Sequence, residues 1–131
     1  MLQKVDVRDA WDWIRPGIEE IRRDAPVDWR PEDLYACCLY GQADIYMDSE
    51  TGGFLITQER QMPFKNEKFL LLWVGHDKGG EAFQKHIREV ESIALQKGCS
   101  HIEFWSSRKG MARLGSRYGY EPLATVYTKV L

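Results

Sequence analysis

Phe69-Leu70-Leu71-Leu72-Trp73-Val74-Gly75, then His76-Asp77-Lys78-Gly79-Gly80, then a run ending in His101-Ile102-Glu103-Phe104-Trp105-Ser106: this stretch decides the fold. Six apolar residues in a row suggest a strand buried on both faces, as in a parallel sheet. Glycines follow, and Phe83, Ile87, Val90 and Ala94 then recur at helical spacing. Gly98 ends the helix, and a second apolar strand comes next. The stretch therefore reads as a βαβ unit with a right-handed crossover. Its Gly-rich turn opens a helix, where unbonded backbone N–H groups favour a phosphate.

Outward from this unit, the rest of the chain supplies more strands and helices. Leu2 to Val7 alternates as a first strand, and Asp9 reads as an N-cap. Trp11, Ile14, Ile18 and Ile21 then mark an amphipathic helix, which Pro16-Gly17 is expected to kink or divide. Pro31 suits the first position of a second helix running to about Tyr40, with Glu32 and Asp33 in its first turn and Gly41 as its stop. Leu34, Cys37 and Cys38 should face the core. Gln42 to Met47 and Phe54 to Glu59 read as a hairpin around a turn at 48–53. Gln58 to Lys68 reads as a loop. Lys109, Arg113 and Arg117 form a basic stripe on a short helix that Gly119 ends. Tyr120 to Leu131 reads as a last strand. The order is β-α-α-β-β-β-α-β-α-β, a mixed α/β sheet of six strands, mostly antiparallel, with helices on both faces.

The 131 residues suit one domain with a core of its own. A net charge of -2 gives no global argument for nucleic acid or an anionic membrane. No apolar run approaches the ~20 residues that span a bilayer. Met1-Leu2-Gln3-Lys4-Val5-Asp6 lacks the apolar stretch of a secretion signal, so a cytoplasmic location is expected. The three cysteines, Cys37, Cys38 and Cys99, make a poor disulfide or zinc framework and read as buried apolar groups.

That order, with its glycine turn between the fourth strand and third helix, resembles the GCN5-related N-acetyltransferase (GNAT) fold over residues 1–131. Leu114-Gly115-Ser116-Arg117-Tyr118-Gly119-Tyr120-Glu121-Pro122 is the best local match: it looks like the family segment in which a short helix breaks at a Gly-Phe pair and enters the sixth strand. The resemblance implies an acyl-CoA-dependent N-acetyltransferase that acts on a small-molecule or protein amine. Acetyl-CoA would be held by backbone groups near Trp73 and Val74 and by the turn Lys78, Gly79, Gly80, Glu81 and Ala82. Short phage-encoded virion or assembly proteins also use this fold. That likeness implies a non-catalytic protein acting through protein contacts, in a host cytoplasm or a virion.

The sequence departs from the family pattern in two places. Asp77 stands where members carry Gln or Arg, and a carboxylate there would repel pyrophosphate by about 1 kcal/mol at ~4 Å in water. Gly115 stands where many members have the Tyr that protonates the departing thiolate. Tyr118 is an alternative acid, although on a helix it points ~60° away. For the general base, Glu59 and Glu67 lie in the family's usual neighbourhood and also read as solvated strand-end charges. His76, after the fourth strand, is a further candidate. His86 and His101 have no partner visible in the sequence.

Overall fold

The computed structural model describes residues 1–77, 82–108 and 110–131, and of Ala82 and Phe83 the backbone alone. After β1 (Leu2–Val5), helix α1 (Val7–Asp24) starts at Asp6. The Asp6 carboxylate accepts from the Arg8 N–H at 2.9 Å, and the Arg8 side chain holds its carboxyl down at about 2. The cap is therefore three residues earlier than the expected Asp9, which falls in the first turn and suits the helix dipole.

The helix neither divides nor stops at Pro16. Pro16 lies on the solvent side, so the Asp12 carbonyl it leaves without an N–H faces water. Gly17 faces inward. A Cβ there would come within 2.9 Å of both His76 Nδ1 and Phe54 Cε1, so glycine lets the helix lie directly on the sheet.

Helix α2 (Pro31–Leu39) has Pro31 in its first turn and Leu34 fully buried. Cys37 and Cys38 pack partly buried against the same core, and all three cysteines are free thiols. Burial pushes the Cys38 thiol up to about 12 and raises Cys99 as well. A thiol held protonated is a poor nucleophile and metal ligand.

Strands β2 (Asp44–Asp48), β3 (Phe54–Gln61), β4 (Lys68–His76) and β5 (His101–Phe104) follow, with α3 (Ala82–Gln96) between the last two and α4 (Gly110–Ser116) after them. The sheet order is β1-β2-β3-β4-β5. The first three pairings are antiparallel and β4–β5 is parallel. The βαβ unit is thus present as the sequence predicts. Strand β3 runs into the expected loop as far as Gln61, because residues 58–61 pair with 68–71 of β4.

One sheet face carries α1 and α2 over Ile45, Phe54, Ile56 and Val74; the other carries α3 over Leu70, Cys99 and Ile102. No described helix is long and apolar enough to cross a membrane.

The expected sixth strand is absent. Residues 121–131 form no helix or strand and are exposed throughout. The segment has the β-branched and aromatic composition of a strand, but composition sets suitability for a sheet, not the presence of a neighbour. The sheet is five-stranded and β5 is its edge.

Polar anchors fix α3 to the sheet. Asp48, 1% exposed, accepts from His86 Nε2 at 2.8 Å, Lys85 Nζ at 3.1 Å and the Glu50 N–H at 2.9 Å. His86 Nδ1 lies 3.0 Å from Glu89 Oε1, and Glu89 Oε2 accepts from the Leu2 N–H at 2.8 Å. His86 therefore has two carboxylate partners, and the cluster joins α3, β1 and the β2–β3 turn. A second set ties Lys97 at the end of α3 to Asp44 at 2.9 Å and Glu59 at 3.3 Å.

These carboxyls make stability depend on acid. The Glu50 N–H, helped by Lys85 and His86, holds Asp48 well below the usual carboxylate range; the Leu2 N–H does the same more mildly for Glu89. Each is more acidic folded than unfolded. Its contribution is complete above the ordinary values of 3.8 and 4.5 and is lost as pH falls through the lower folded values. The expected result is an acid limb in thermal stability that starts below about pH 5. Asp48→Asn should lower the midpoint at neutral pH and flatten that limb in a pH series of melting curves. A limb as steep as the wild type's would sink this reading.

Candidate active site

Strand β4 changes character in its second half. Ile56 pairs with Val74 and Thr57 with Leu72, so Trp73 is an extra residue without an opposite on β3. That is a β-bulge, which bends the strand and raises its twist. It also breaks the alternation of side chains: Trp73 and Val74 are neighbours yet both pack on the α1/α2 side. On the other edge of β4 the ladder to β5 stops at Leu72↔Phe104, while β4 runs on to His76. Among the described residues, 73–76 therefore lie past the last β4–β5 pair, on a stretch of β4 that β5 does not cover. The chain re-enters helical structure at Ala82, where α3 begins.

Lys78, Gly79, Gly80 and Glu81, expected at the pyrophosphate, lie outside the described residues, as do the Ala82 side chain and Lys109. Trp73 is the bulged residue of β4, and Val74 follows it, paired with Ile56. Gly75 follows, exposed, and a Cβ there would meet Leu55 Cδ1 at 3.6 Å and the Phe54 carbonyl at 3.9 Å, ordinary contacts.

The two residues named for proton transfer are not assembled as a pair. Glu59 is on β3 opposite Leu70 and accepts from Lys68 at 2.9 Å. The Lys68 contact, with Lys97, holds its carboxyl below the usual range. Tyr118 lies in the turn after α4, 38% exposed. Gly115 is buried, and a Cβ there would come within 3.2 Å of Phe104 Cζ and 3.3 Å of Tyr120 Cβ. A side chain at that position would crowd the packing of Tyr120 on Phe104, whose rings are 5.2 Å apart.

Sequence reasoning missed two carboxylate–histidine pairs. His76 closes β4 on the α1 side, stacked on Phe54 at 5.8 Å, with Nε2 3.1 Å from Glu20 Oε2. His101 stacks on Phe69 at 5.0 Å, with Nε2 2.8 Å from Glu103 Oε2. Glu103 also accepts from Trp105 Nε1 at 3.1 Å, and the Arg60 guanidinium lies 5.2 Å over the Trp105 ring. Glu103 pairs in register with Leu71, two residues before the bulge. The signal was available: His101, Glu103 and Trp105 alternate, so on a strand they share one face. Among the described residues no group of histidine, cysteine and carboxylate side chains could hold a metal ion.

No protein-family model matches the sequence, and no curated protein sequence matches it. Solved structures do. A ribosomal-protein-alanine N-acetyltransferase from Brucella melitensis biovar Abortus 2308 superposes with a TM-score of 0.74 at 14% identity, over 100% of this chain and 99% of that one. An aminoglycoside acetyltransferase from an uncultured soil metagenomic sample, in complex with sisomicin, gives 0.69 at 10% identity, over 100% and 96%. An integron cassette protein from the mobile metagenome of V. cholerae gives 0.69 at 12% identity, over 100% and 91%. Likeness at these identities speaks to architecture alone, and on that ground the chain has the GNAT fold.

Proposed function

We propose that the chain is an acyl-CoA-dependent N-acyltransferase acting on an amine. The observation that supports this best is that β4 bulges at Trp73 and runs on past its last pair with β5 before the chain enters α3. Backbone groups of residues 73–76 lie along a strand edge that β5 does not cover, where an extended pantetheine arm can add as a strand would. The α3 N-terminus and Lys78, Gly79, Gly80 and Glu81 would hold the pyrophosphate. Bound acetyl-CoA would supply an activated acyl thioester.

The protein's own part is to position the amine and accept its proton. Glu103 is the better base. It is half-buried on β5 opposite Leu71 and oriented by His101 and Trp105, whereas Glu59 is neutralised by two lysines. Tyr118 remains the phenol nearest in sequence to position 115. Holding two reactants together supplies much of the rate in such transfers, so the glycine at position 115 slows an enzyme of this kind without forbidding it. The acceptor's class, small molecule or protein, follows from the neighbours' own activities only by analogy.

A second reading is a GNAT-fold protein that has dropped the chemistry and acts through protein contacts, as in phage particle assembly. The absence of room for a tyrosine at Gly115 and the exposed apolar segment after Tyr120 favour it.

Calorimetric titration with acetyl-CoA separates the two. A Kd in the micromolar range, about -8 kcal/mol, is expected for the enzyme. Gly75→Trp, whose Cβ makes only ordinary contacts, should block the β4 edge at 73–76 and abolish binding, and Gly80→Trp should do so at the turn. No heat and no thermal shift with the wild-type chain would end the acyltransferase reading. With binding in hand, Glu103→Gln should cut turnover of an amine acceptor by roughly 10²-fold or more, with little change in acetyl-CoA affinity.

A further inference from the structure

The start of β5 carries a series of reactive groups that the acyltransferase reading uses only in part. Ser100 Oγ lies 2.9 Å from His101 Nδ1, and His101 Nε2 lies 2.8 Å from Glu103 Oε2. An ionised carboxylate only accepts, so in the neutral ring Nε2 carries the proton. Nδ1 is then a lone pair, and the Ser100 hydroxyl donates to it. The Lys68 carbonyl, 3.3 Å from the same hydroxyl, is the longer alternative. Hydroxyl, imidazole and carboxylate in hydrogen-bonded series are the arrangement that activates a serine, whatever the chain order of the three.

Each member is held in place. The Ser100 N–H donates to the Lys68 carbonyl at 2.8 Å, which fixes the backbone. The His101 ring is stacked on Phe69 with 21° between the planes. Glu103 Oε1 accepts from Trp105 Nε1 at 3.1 Å, which leaves Oε2 for the histidine. Exposure falls along the series: Ser100 is exposed, the His101 side chain is 36% exposed and that of Glu103 19%. The hydroxyl is thus open to a molecule in solution, while the carboxylate that orients the ring is shielded from water.

We propose that Ser100, His101 and Glu103 form a separate acyl-transfer site, which hydrolyses small activated acyl esters and thioesters through an acyl-Ser100 intermediate. Ser100 Oγ attacks the acyl carbon as its proton passes to His101 Nδ1. The bond from the acyl carbon to the ester oxygen or thioester sulfur breaks, and the leaving group takes that proton. Water then attacks acyl-Ser100 and gives a proton to Nδ1. The bond between Ser100 Oγ and the acyl carbon breaks, the carboxylic acid departs, and the proton returns to Ser100. Glu103 stays ionised throughout and acts as a positioning residue. Ser100 stands on the open surface, where binding contributes little, so the substrates are those whose leaving groups depart readily. This goes beyond the acyltransferase reading and needs nothing bound at α3. Glu103 serves both, whereas Ser100 belongs to this site alone.

Two probes test it on the full chain: p-nitrophenyl acetate, and a fluorophosphonate, which labels activated serines. The expected result is release of nitrophenol, an acetyl group found on Ser100 by peptide mass after an acid quench, and the fluorophosphonate on the same residue. Ser100→Ala and His101→Gln should each slow hydrolysis by about tenfold or more and lose the label, with unchanged far-UV circular dichroism. Glu103→Gln offers an amide N–H to Nε2, so it should move the imidazole proton to Nδ1 in nitrogen NMR spectra and abolish labelling. A Ser100→Ala chain that hydrolyses the ester as fast as the wild type overturns the proposal. So does acetyl found only on cysteines or lysines, or labelling that survives His101→Gln or Glu103→Gln. If a variant does not fold, the label on the wild-type chain decides: Ser100 supports the triad, and another residue or no label refutes it. Acetyl-CoA binding is read separately in the calorimeter, so the failure of either reading leaves the other standing.

Discussion

Leu70→Ala should lower the unfolding free energy by about 3–4 kcal/mol, the largest single loss expected from an apolar position in this protein. Leu70 is fully buried in β4, between Glu59 of β3 and Ile102 of β5 in register, and it packs under Val90, Ala94 and Cys99. Strands on both sides hold the backbone, so the cavity cannot collapse, and the cost includes most of the void as well as the lost transfer energy. In a domain of this size the thermal midpoint should fall by roughly 10 °C or more. α3 rests on this side chain, so its docking should loosen together with the loss of stability. A loss under about 1 kcal/mol in urea unfolding would mean that the α3 face is loosely packed.

Gly17→Val should cost about 2–3 kcal/mol, for the opposite reason. A Cβ at Gly17 meets His76 Nδ1 and Phe54 Cε1 at 2.9 Å and His76 Cγ at 3.0 Å. Those rings are stacked on each other, and His76 is also held by Glu20, so neither turns aside freely. α1 must lift from the sheet, or His76 must leave Glu20. Gly17→Ala should show a smaller loss of the same kind. Unfolding curves would report the stability change, and the His76 imidazole signals in NMR would report which group moved. A Gly17→Val variant as stable as the wild type, with unchanged His76 resonances, would show that the helix is not held at this distance.

These two positions differ in how far the sequence revealed them. Leu70 sits in an uninterrupted apolar run, and a run of that kind points to a strand covered on both faces without any knowledge of its neighbours. Gly17 beside Pro16 reads locally as an interruption of a helix. In the structure the proline faces water and the glycine faces the sheet, so the pair serves continuity and close approach. Local rules give the backbone preference of each residue, and the side of the helix on which it falls decides whether the preference is exercised.

The active-site candidates divide in the same way. Trp73 and Val74 are named by the strand that carries them, while the bulge at Trp73 depends on the register of β3 against β4. Glu59 was chosen for its position near the end of β3; its lysine neighbours come from β4 and the end of α3, and no local pattern reveals them. His86 looked partnerless because Asp48 is 38 residues away along the chain. The His101–Glu103 pair is legible from strand alternation, because residues two apart on a strand share one face.

What the sequence determined by itself was the set of elements: apolar periodicity, glycines and prolines specify helices, strands and turns through interactions between near neighbours. It also determined the order that leads to the GNAT fold. The tertiary structure alone decided three things. It set the bulge at Trp73, which depends on the register of β3 against β4. It set the charge partners of Asp48 and Glu59, which the pairing of β3 with β4 and the docking of α3 bring together. And it left residues 121–131 unpaired, because a strand's composition makes it fit for a sheet while its hydrogen bonds require a neighbour that the chain must bring to it.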